Sequence, residues 1–342
     1  MNIPAGRWRG LSPVDAPVTG VSMLPRLVCL LGFCFACGAA AVVTAAEWPA
    51  KPIRMIVPFP PGGGTDLVGR AASNALSGAV GQPVVVDNRG GAGGIIGTEL
   101  VAKANADGYT LGIATSSTHP VAGLTQKIPY DALKSFAPVT QIGVTPYIIV
   151  AAPALPANTL AEFVAYMKAN PGKVNVAHVG TGTLGYLLTE AFKSATGTDM
   201  VAVPFKGSAL IYPDLSSNRV QVFFDNPVAS VPLVKAGRLK AIAVTQRTPL
   251  LPSTPTLEEA GLAGFAHGFW YGIAAPAGTP RAVVERIARA ISAYAKSSAG
   301  KNELAALAVE PIGSSPTEFT ATIRDDIERW GKVARTIGLK PQ

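Results

Sequence analysis

Cysteine is scarce and confined to one stretch. The 342-residue chain has three, Cys29, Cys34 and Cys37, and none from Glu47 onward. That excludes a disulfide framework, a thiolate metal site and a cysteine nucleophile from the rest of the chain. Histidine is as sparse: His119, His178 and His267 are the full set. None has the spacing of a metal-binding pair. No Gly-x-Ser-x-Gly turn presents a serine to His178, so neither a catalytic role nor a metal is expected. Charged residues are only 15% of the chain, without a dense Lys/Arg cluster or a basic stripe interleaved with aromatics, which argues against a nucleic-acid partner. Removing Arg7, Arg9, Arg26 and Asp15 from the 29 basic and 21 acidic residues leaves 26 and 20. The mild positive excess helps to gather anions, though ordinary surface charge accounts for most of it.

Apolar residues are plentiful, at 48%, enough to bury a core in a chain long enough for two domains. One apolar run stands apart, residues 27–43, preceded by Arg26 and followed by Thr44-Ala45-Ala46. A basic flank, a short apolar stretch and small residues at the exit form a secretory signal, with cleavage expected after Ala46. The run lies near the lower limit for a membrane span, and Cys34-Phe35 before Cys37 makes a poor lipidation signal. Residues 1–46 are therefore assigned as a signal peptide, with Met23 a possible true start, and the mature chain is expected in the periplasm.

After the leader, short β-rich runs alternate with helical patterns. Residues 53–59 read as a buried strand, broken by Pro60-Pro61-Gly62-Gly63-Gly64 and followed by a helical spacing over 66–80. Strands follow at 84–86 and 109–114, with a glycine turn at 90–94 leading to a helix through Ala102. The pattern resumes with strands at 148–150, 174–179, 220–224 and 239–244. Thr159 and Glu162 form a capping box opening another helix. Such alternation marks an α/β fold with an open parallel sheet. Strand, Ala-Ala-Pro and helix occur twice, at 148–156 and 271–280, and are read as the two places where the chain crosses between domains. One domain would comprise 47–146 plus 269–342, and the other 147–268.

Three constellations could hold a ligand. In Phe59-Pro60-Pro61-Gly62-Gly63-Gly64-Thr65-Asp66, glycines allow close backbone approach and the following helix start offers free N–H groups and a favourable dipole to an anion. Thr65 and Asp66 are natural N-cap residues. Gly180-Thr181-Gly182-Thr183 repeats this arrangement in the second unit, so two helix starts could close on one anion. Asp225 and Asn226 end a strand, where open α/β sheets place their crevice; Asn226 can donate to a carboxylate and Asp225 can accept from an amine or hydroxyl. Ser116, Ser117 and Thr118 could supply hydroxyls. Each of these turns could equally serve topology alone. Nucleotide motifs fail: Gly62-Gly63-Gly64 lacks the following Lys-Ser/Thr, and Leu67 and Ile96 stand where a dinucleotide fingerprint needs glycine.

Taken together, these motifs resemble the extracytoplasmic solute receptors of tripartite tricarboxylate transporters, the TctC or Bug type. The resemblance runs through Trp48-Pro49, the Val57-Pro58-Phe59 loop to Asp66, Val86-Asp87-Asn88-Arg89, Asp107-Gly108-Tyr109, Phe136-Ala137-Pro138-Val139, Pro204-Phe205-Lys206-Gly207, Phe224-Asp225-Asn226, Pro255-Thr256-Leu257 and Trp270-Tyr271-Gly272. It implies a two-domain periplasmic binding protein (Venus flytrap, type II-like) with a ligand cleft between the domains. It also implies a small organic carboxylate as ligand, membrane permease subunits as partners, no cofactor, and a monomer. Phe59, Pro61, Gly62, Gly63, Thr65, Asp66, Gly180, Thr181, Gly182, Thr183, Asp225 and Asn226 carry over as ligand-binding positions. Two positions depart from the family: Tyr186 stands where a histidine is common, and His178 where a small residue is usual. Tyr186, with Tyr147 and Trp270, is expected to meet the distal part of the ligand, while Lys206 is expected to face water. A ligand sensor for a membrane signalling protein and an exported α/β hydrolase are the competing readings.

Overall fold

A computed structural model describes residues 48–341. The assigned signal peptide lies outside the described residues. Two mixed sheets organise the body. The first has the order β11-β4-β10-β3-β1-β2, built from β1 (Ile53–Val57), β2 (Val84–Asn88), β3 (Thr110–Thr115), β4 (Phe136–Pro146), β10 (Gly268–Pro276) and β11 (Glu310–Pro311). The second has the order β7-β6-β8-β5-β9, built from β5 (Ile148–Ala151), β6 (Asn175–His178), β7 (Val201–Pro204), β8 (Val222–Asp225) and β9 (Lys240–Val244).

The parallel sheet expected from the alternation is only half of the picture. β1 pairs parallel with β2 and β3, and β6 with β7 and β8. However, β10 runs antiparallel to both β3 and β4, and β5 to both β8 and β9. The cause is the double crossing. The chain leaves the first sheet at the end of β4 and returns along β10, so outgoing and returning strands lie side by side in opposite directions. The crossings are tied together: the Tyr147 amide donates to Thr245 Oγ1 at 2.8 Å, and the Thr245 amide donates to the Tyr147 carbonyl at 2.9 Å.

Helices cover the sheets. In chain order they are α1 (Gly64–Val80), α2 (Ile95–Ala102), α3 (Ala122–Thr125), α4 (Leu160–Ala169), α5 (Leu184–Thr196), α6 (Ile211–Ser216), α7 (Pro227–Lys235), α8 (Arg281–Lys296), α9 (Ser298–Ala306) and α10 (Pro316–Thr336). Their apolar spacing decides which face is buried. In α8, Val284, Ile287, Ala288, Ile291 and Ala295 turn inward. In α10, Phe319, Ile323, Trp330 and Ala334 do so. The Thr159–Glu162 capping box opens α4 as its sequence predicts. At α1 the cap differs from expectation. Gly63 is the N-cap, without a side-chain cap bond, so Thr65 and Asp66 lie within the first turn. From there Asp66 reaches back to accept the Gly62 amide at 3.0 Å.

Candidate functional site

Three strands that end at the cleft hand the chain to a helix that starts there. β1 leads through Pro58–Gly63 into α1, β6 through Val179–Thr183 into α5, and β8 through Asn226 into α7. The glycines allow this convergence. A Cβ on Gly64 would lie 2.1 Å from Asn226 Oδ1 and 3.0 Å from Tyr271 Oη, and one on Gly63 would lie 2.8 Å from Ser208 Oγ. A side chain at either position would fill the space where the two sheets' helices approach.

Between them lies a cavity with about 40 Å³ of room for the centres of water-sized molecules, enough for a few waters. The α1 side contributes Phe59, Gly63, Gly64 and Thr65, and the α5 side Thr183, Gly185 and Tyr186. Asp225, Asn226, His178, Ser117 and Ser208 complete its polar wall, and Tyr147, Phe224 and Phe269 much of its aromatic wall. The cleft is closed. The Leu184 amide, at the start of α5, donates to Ser117 Oγ at 3.0 Å, and Gln126 Nε2 donates to Thr181 Oγ1 at 2.5 Å. At the mouth, Gly180 abuts Gly93: a Cβ added to Gly180 would lie 2.7 Å from the Gly93 Cα.

Among the described residues, no Lys or Arg lines this cavity. Positive potential comes instead from helix N-termini, where the first-turn amides lack intrahelical acceptors. Such a wall suits an anion whose charge is spread over oxygens that accept several hydrogen bonds. Asp225 is fully enclosed. Its Oδ2 accepts from Tyr212 Oη at 2.9 Å, while Oδ1 is buried without a hydrogen-bond partner. Burial pushes its carboxyl up to about 7, a rise that the Tyr212 bond only partly offsets. Burial also holds His178 below the usual histidine value. The Gly180 amide donates to His178 Nδ1 at 3.2 Å, which places the neutral ring's proton on Nε2. The same ring lies 5.0 Å from that of Tyr186.

Of the positions read from the sequence, Phe59, Gly63, Thr65, Thr183, Tyr186, Asp225 and Asn226 line the cavity. Ser117 and Tyr147 do so too, and the others lie outside it. Pro61 and Gly62 are exposed on the loop. Asp66 is turned away as a brace: it pairs with Arg70 at 3.0 Å and accepts from Asn88 Nδ2 at 2.8 Å. Burial works to raise its carboxyl, but Arg70, the Gly62 amide and Asn88 outweigh that and leave it below the usual range. Gly180, Thr181 and Gly182 sit at the closed mouth. Ser116 Oγ accepts the Trp270 amide at 2.8 Å, and Thr118 is occupied with Thr115 and His119. Ser117, between them, is the hydroxyl that faces the cleft. The wide helical turn over Ser117–Val121 rotates successive side chains differently from an extended loop, and local sequence gives little sign of it. Tyr147 lines the cavity as expected. Trp270 does not: it is buried, with Nε1 donating to Asp326 Oδ2 at 2.8 Å. Lys206 is exposed. Among the described residues, no cluster of His, Asp and Glu is arranged to hold a metal ion.

Known proteins share this fold. Residues 68–339 match the model of the tripartite tricarboxylate transporter family receptor. Protein BugT of Bordetella pertussis is 38% identical over 322 residues, covering 93% of this chain and 99% of BugT. The structure of R. palustris Rpa4515 with adipate is 36% identical with a TM-score of 0.84, covering 86% of this chain and 100% of that one. MatC (Rpa3494) from Rhodopseudomonas palustris with bound malate is 32% identical with a TM-score of 0.80, covering 84% and 99%. The two mixed sheets with a cleft between them are thus the two-domain α/β fold of periplasmic binding proteins, and the chain belongs to the tripartite tricarboxylate transporter receptor family, whose members bind solutes and are not enzymes.

Proposed function

We propose that this protein is exported to the periplasm on the signal at 1–46, captures a small organic carboxylate, and delivers it as a monomer to the permease subunits of a tripartite tricarboxylate transporter. Residues 47–146 and 269–342 form one lobe and 147–268 the other. One ligand carboxylate sits between the starts of α1 and α5, against Gly63, Thr65 and Thr183. Phe59 and Tyr186 cover the rest of the ligand, and Asp225 and Asn226 close the far wall. The lobes close by hinge motion at Tyr147 and Thr245.

The observation that carries this reading is the meeting of two helix N-termini, one from each sheet, at a cavity without a basic side chain. That electrostatics favours an anion, and the two-sided cradle suits capture by closure. Adipate and malate in the similar Rpa4515 and MatC structures are both small dicarboxylates, in keeping with it. The test is a thermal-shift screen of residues 47–342, freed of co-purified ligand, against mono-, di- and tricarboxylates, acidic amino acids and aromatic acids. A ligand that binds only the folded state raises the melting temperature by mass action. A large shift with one class of acid, and no turnover of that acid, is expected. A flat response across the panel contradicts carboxylate capture.

A further inference from the structure

Three oxygens buried at the back of the cleft have no hydrogen-bond partner in the protein: Asp225 Oδ1, Asn226 Oδ1 and Tyr271 Oη. They are neighbours. The point where a Cβ on Gly64 would sit lies 2.1 Å from Asn226 Oδ1 and 3.0 Å from Tyr271 Oη. Asp225 adjoins Asn226 in the chain, and its charge acts on Tyr271. The three also come from both sides of the cleft. Asp225 and Asn226 lie at the end of β8, in the second sheet. Tyr271 lies on β10, in the first sheet, and Gly64 opens the helix that follows β1 of that sheet. Gly64 packs on the start of α7, its Cβ position 3.0 Å from Val228 Cβ. The first-sheet side is therefore part of the cover over the Asp225 carboxyl, which is only 1% exposed.

The surroundings of that carboxyl decide its charge. On α6, Tyr212 Oη donates to Oδ2 at 2.9 Å. Ser230 on α7 and the Asn226 amide also favour the charged form. Tyr147, just before β5, and Tyr271 on β10 face it from the crossings. Burial raises all three tyrosines above the ordinary phenol value, so they stay neutral. At the end of β6, His178 lines the same cavity, and burial holds it below the usual histidine value. A carboxylate taken out of water with no cation beside it, and with one oxygen unpaired, is less stable than the neutral acid. A proton on Oδ1 supplies a donor to a corner where Asn226 Oδ1 and Tyr271 Oη lack partners.

We propose that closing the cleft captures a proton on Asp225, so that the closed receptor holds its ligand together with a proton and opens more readily as the surroundings turn alkaline. The proposal rests on the receptor reading for the two-lobed closure but needs no particular ligand. Parting the lobes lifts Gly64 and Tyr271 off Asn226 and admits water to the carboxyl. Its pKa, about 7 when closed, then falls back toward the ordinary 3.8. A group with its pKa raised in the closed state favours closure below that value, and the benefit is lost as pH rises through 7. Between pH 9 and pH 6 the closed-to-open ratio should rise about tenfold. His178 acts in the opposite sense, because its protonated form prefers a wet, open cleft, but only on the acid side of 6.5.

Residues 47–342 contain no cysteine, so Ile96→Cys and Leu210→Cys, at exposed positions on the two sides of the mouth, accept a pair of spin labels. The distance distribution between them is recorded from pH 6 to pH 9 with no acid ligand added. The short-distance fraction is expected to rise as pH falls, with its midpoint near 7. Asp225→Asn, which has no proton to capture, should give a flat profile. Tyr212→Phe removes the bond to Oδ2 and should move the midpoint to higher pH. A flat profile in the parent, a short-distance fraction that grows with pH, or a parental response in Asp225→Asn would each overturn the proposal. The parent's profile needs no substitution near Asp225, so a misfolded variant does not shelter the idea. Because no carboxylate is added, a negative result here leaves the thermal-shift screen to judge the ligand reading on its own.

Discussion

Replacing Gly180 by alanine should separate closure from stability. Gly180 has φ +131°, a backbone conformation that side chains rarely adopt, so Gly180→Ala costs about 1–3 kcal/mol of strain whether the cleft is open or shut. The closed state carries a second penalty. The new Cβ would lie 2.7 Å from the Gly93 Cα and 2.9 Å from the Gly93 nitrogen on the other side of the mouth. These are backbone atoms that cannot rotate away, so the lobes must part. Parting stretches the bonds from Gln126 to Thr181 and from Leu184 to Ser117, at 2.5 and 3.0 Å. Each is worth about 0.5–1.5 kcal/mol, so the closed complex loses about 1–3 kcal/mol, which is roughly 5- to 150-fold in Kd. Gly93→Ala is the control. Its φ of +66° is also strained for alanine, but its Cβ would meet Thr183 Cγ2 at an ordinary 3.4 Å. It should lower the melting temperature with little change in Kd. Titration calorimetry with the acid that gives the largest thermal shift reads both variants. Wild-type affinity in Gly180→Ala, or an equal loss in Gly93→Ala, would refute the reasoning.

Asp225 titrates in the folded protein at about 7, against an ordinary value of 3.8, because burial penalises its charge. A raised carboxyl pKa means that the folded state holds its proton more tightly than the unfolded state. Its contribution is therefore present below about pH 4 and is lost as pH rises toward 7. His178, whose folded value is depressed, works in the opposite sense at acid pH, so the Asp225 part is isolated by difference. The melting temperature of Asp225→Asn minus that of the parent should increase from pH 4 to pH 8; a flat difference would rule out the buried, proton-holding carboxyl. Trp270→Phe removes the 2.8 Å bond to Asp326, a buried group, and should cost about 1–3 kcal/mol in a denaturant titration. Its ligand affinity should stay at the parental value, since Trp270 lies off the cavity; a tenfold loss would restore it to the ligand wall.

The helix starts at the cleft were legible because their chemistry is local. A strand that runs into Pro-Pro-Gly-Gly-Gly, or into Gly-Thr-Gly-Thr, must turn sharply, and the amphipathic spacing after it marks the helix. Strand direction was not legible. The run Gly268–Pro276 is buried almost throughout and reads the same whether it pairs parallel or antiparallel, because its direction follows from the chain's return across the hinge. Side-chain facing was legible only where the backbone is regular. Ser116, Ser117 and Thr118 are alike as residues, and the wide turn at Ser117–Val121 decides which one reaches the cleft. Asp66 misled for a related reason: an acid in a helix's first turn can face a ligand or brace its own loop, and Arg70 and Asn88 settle the choice from distant parts of the sequence.

The most direct test of the central claim compares the affinity of the best-binding acid with that of its primary amide, by calorimetry at constant pH. The amide matches the carboxylate in shape but carries no charge and brings N–H donors to a cradle that already supplies donors. The loss of charge-assisted hydrogen bonds, worth about 1.5–3 kcal/mol each against roughly half that for neutral ones, predicts at least a tenfold weaker amide, with neither compound turned over. Equal affinity for the two would contradict the helix-end cradle as the source of recognition.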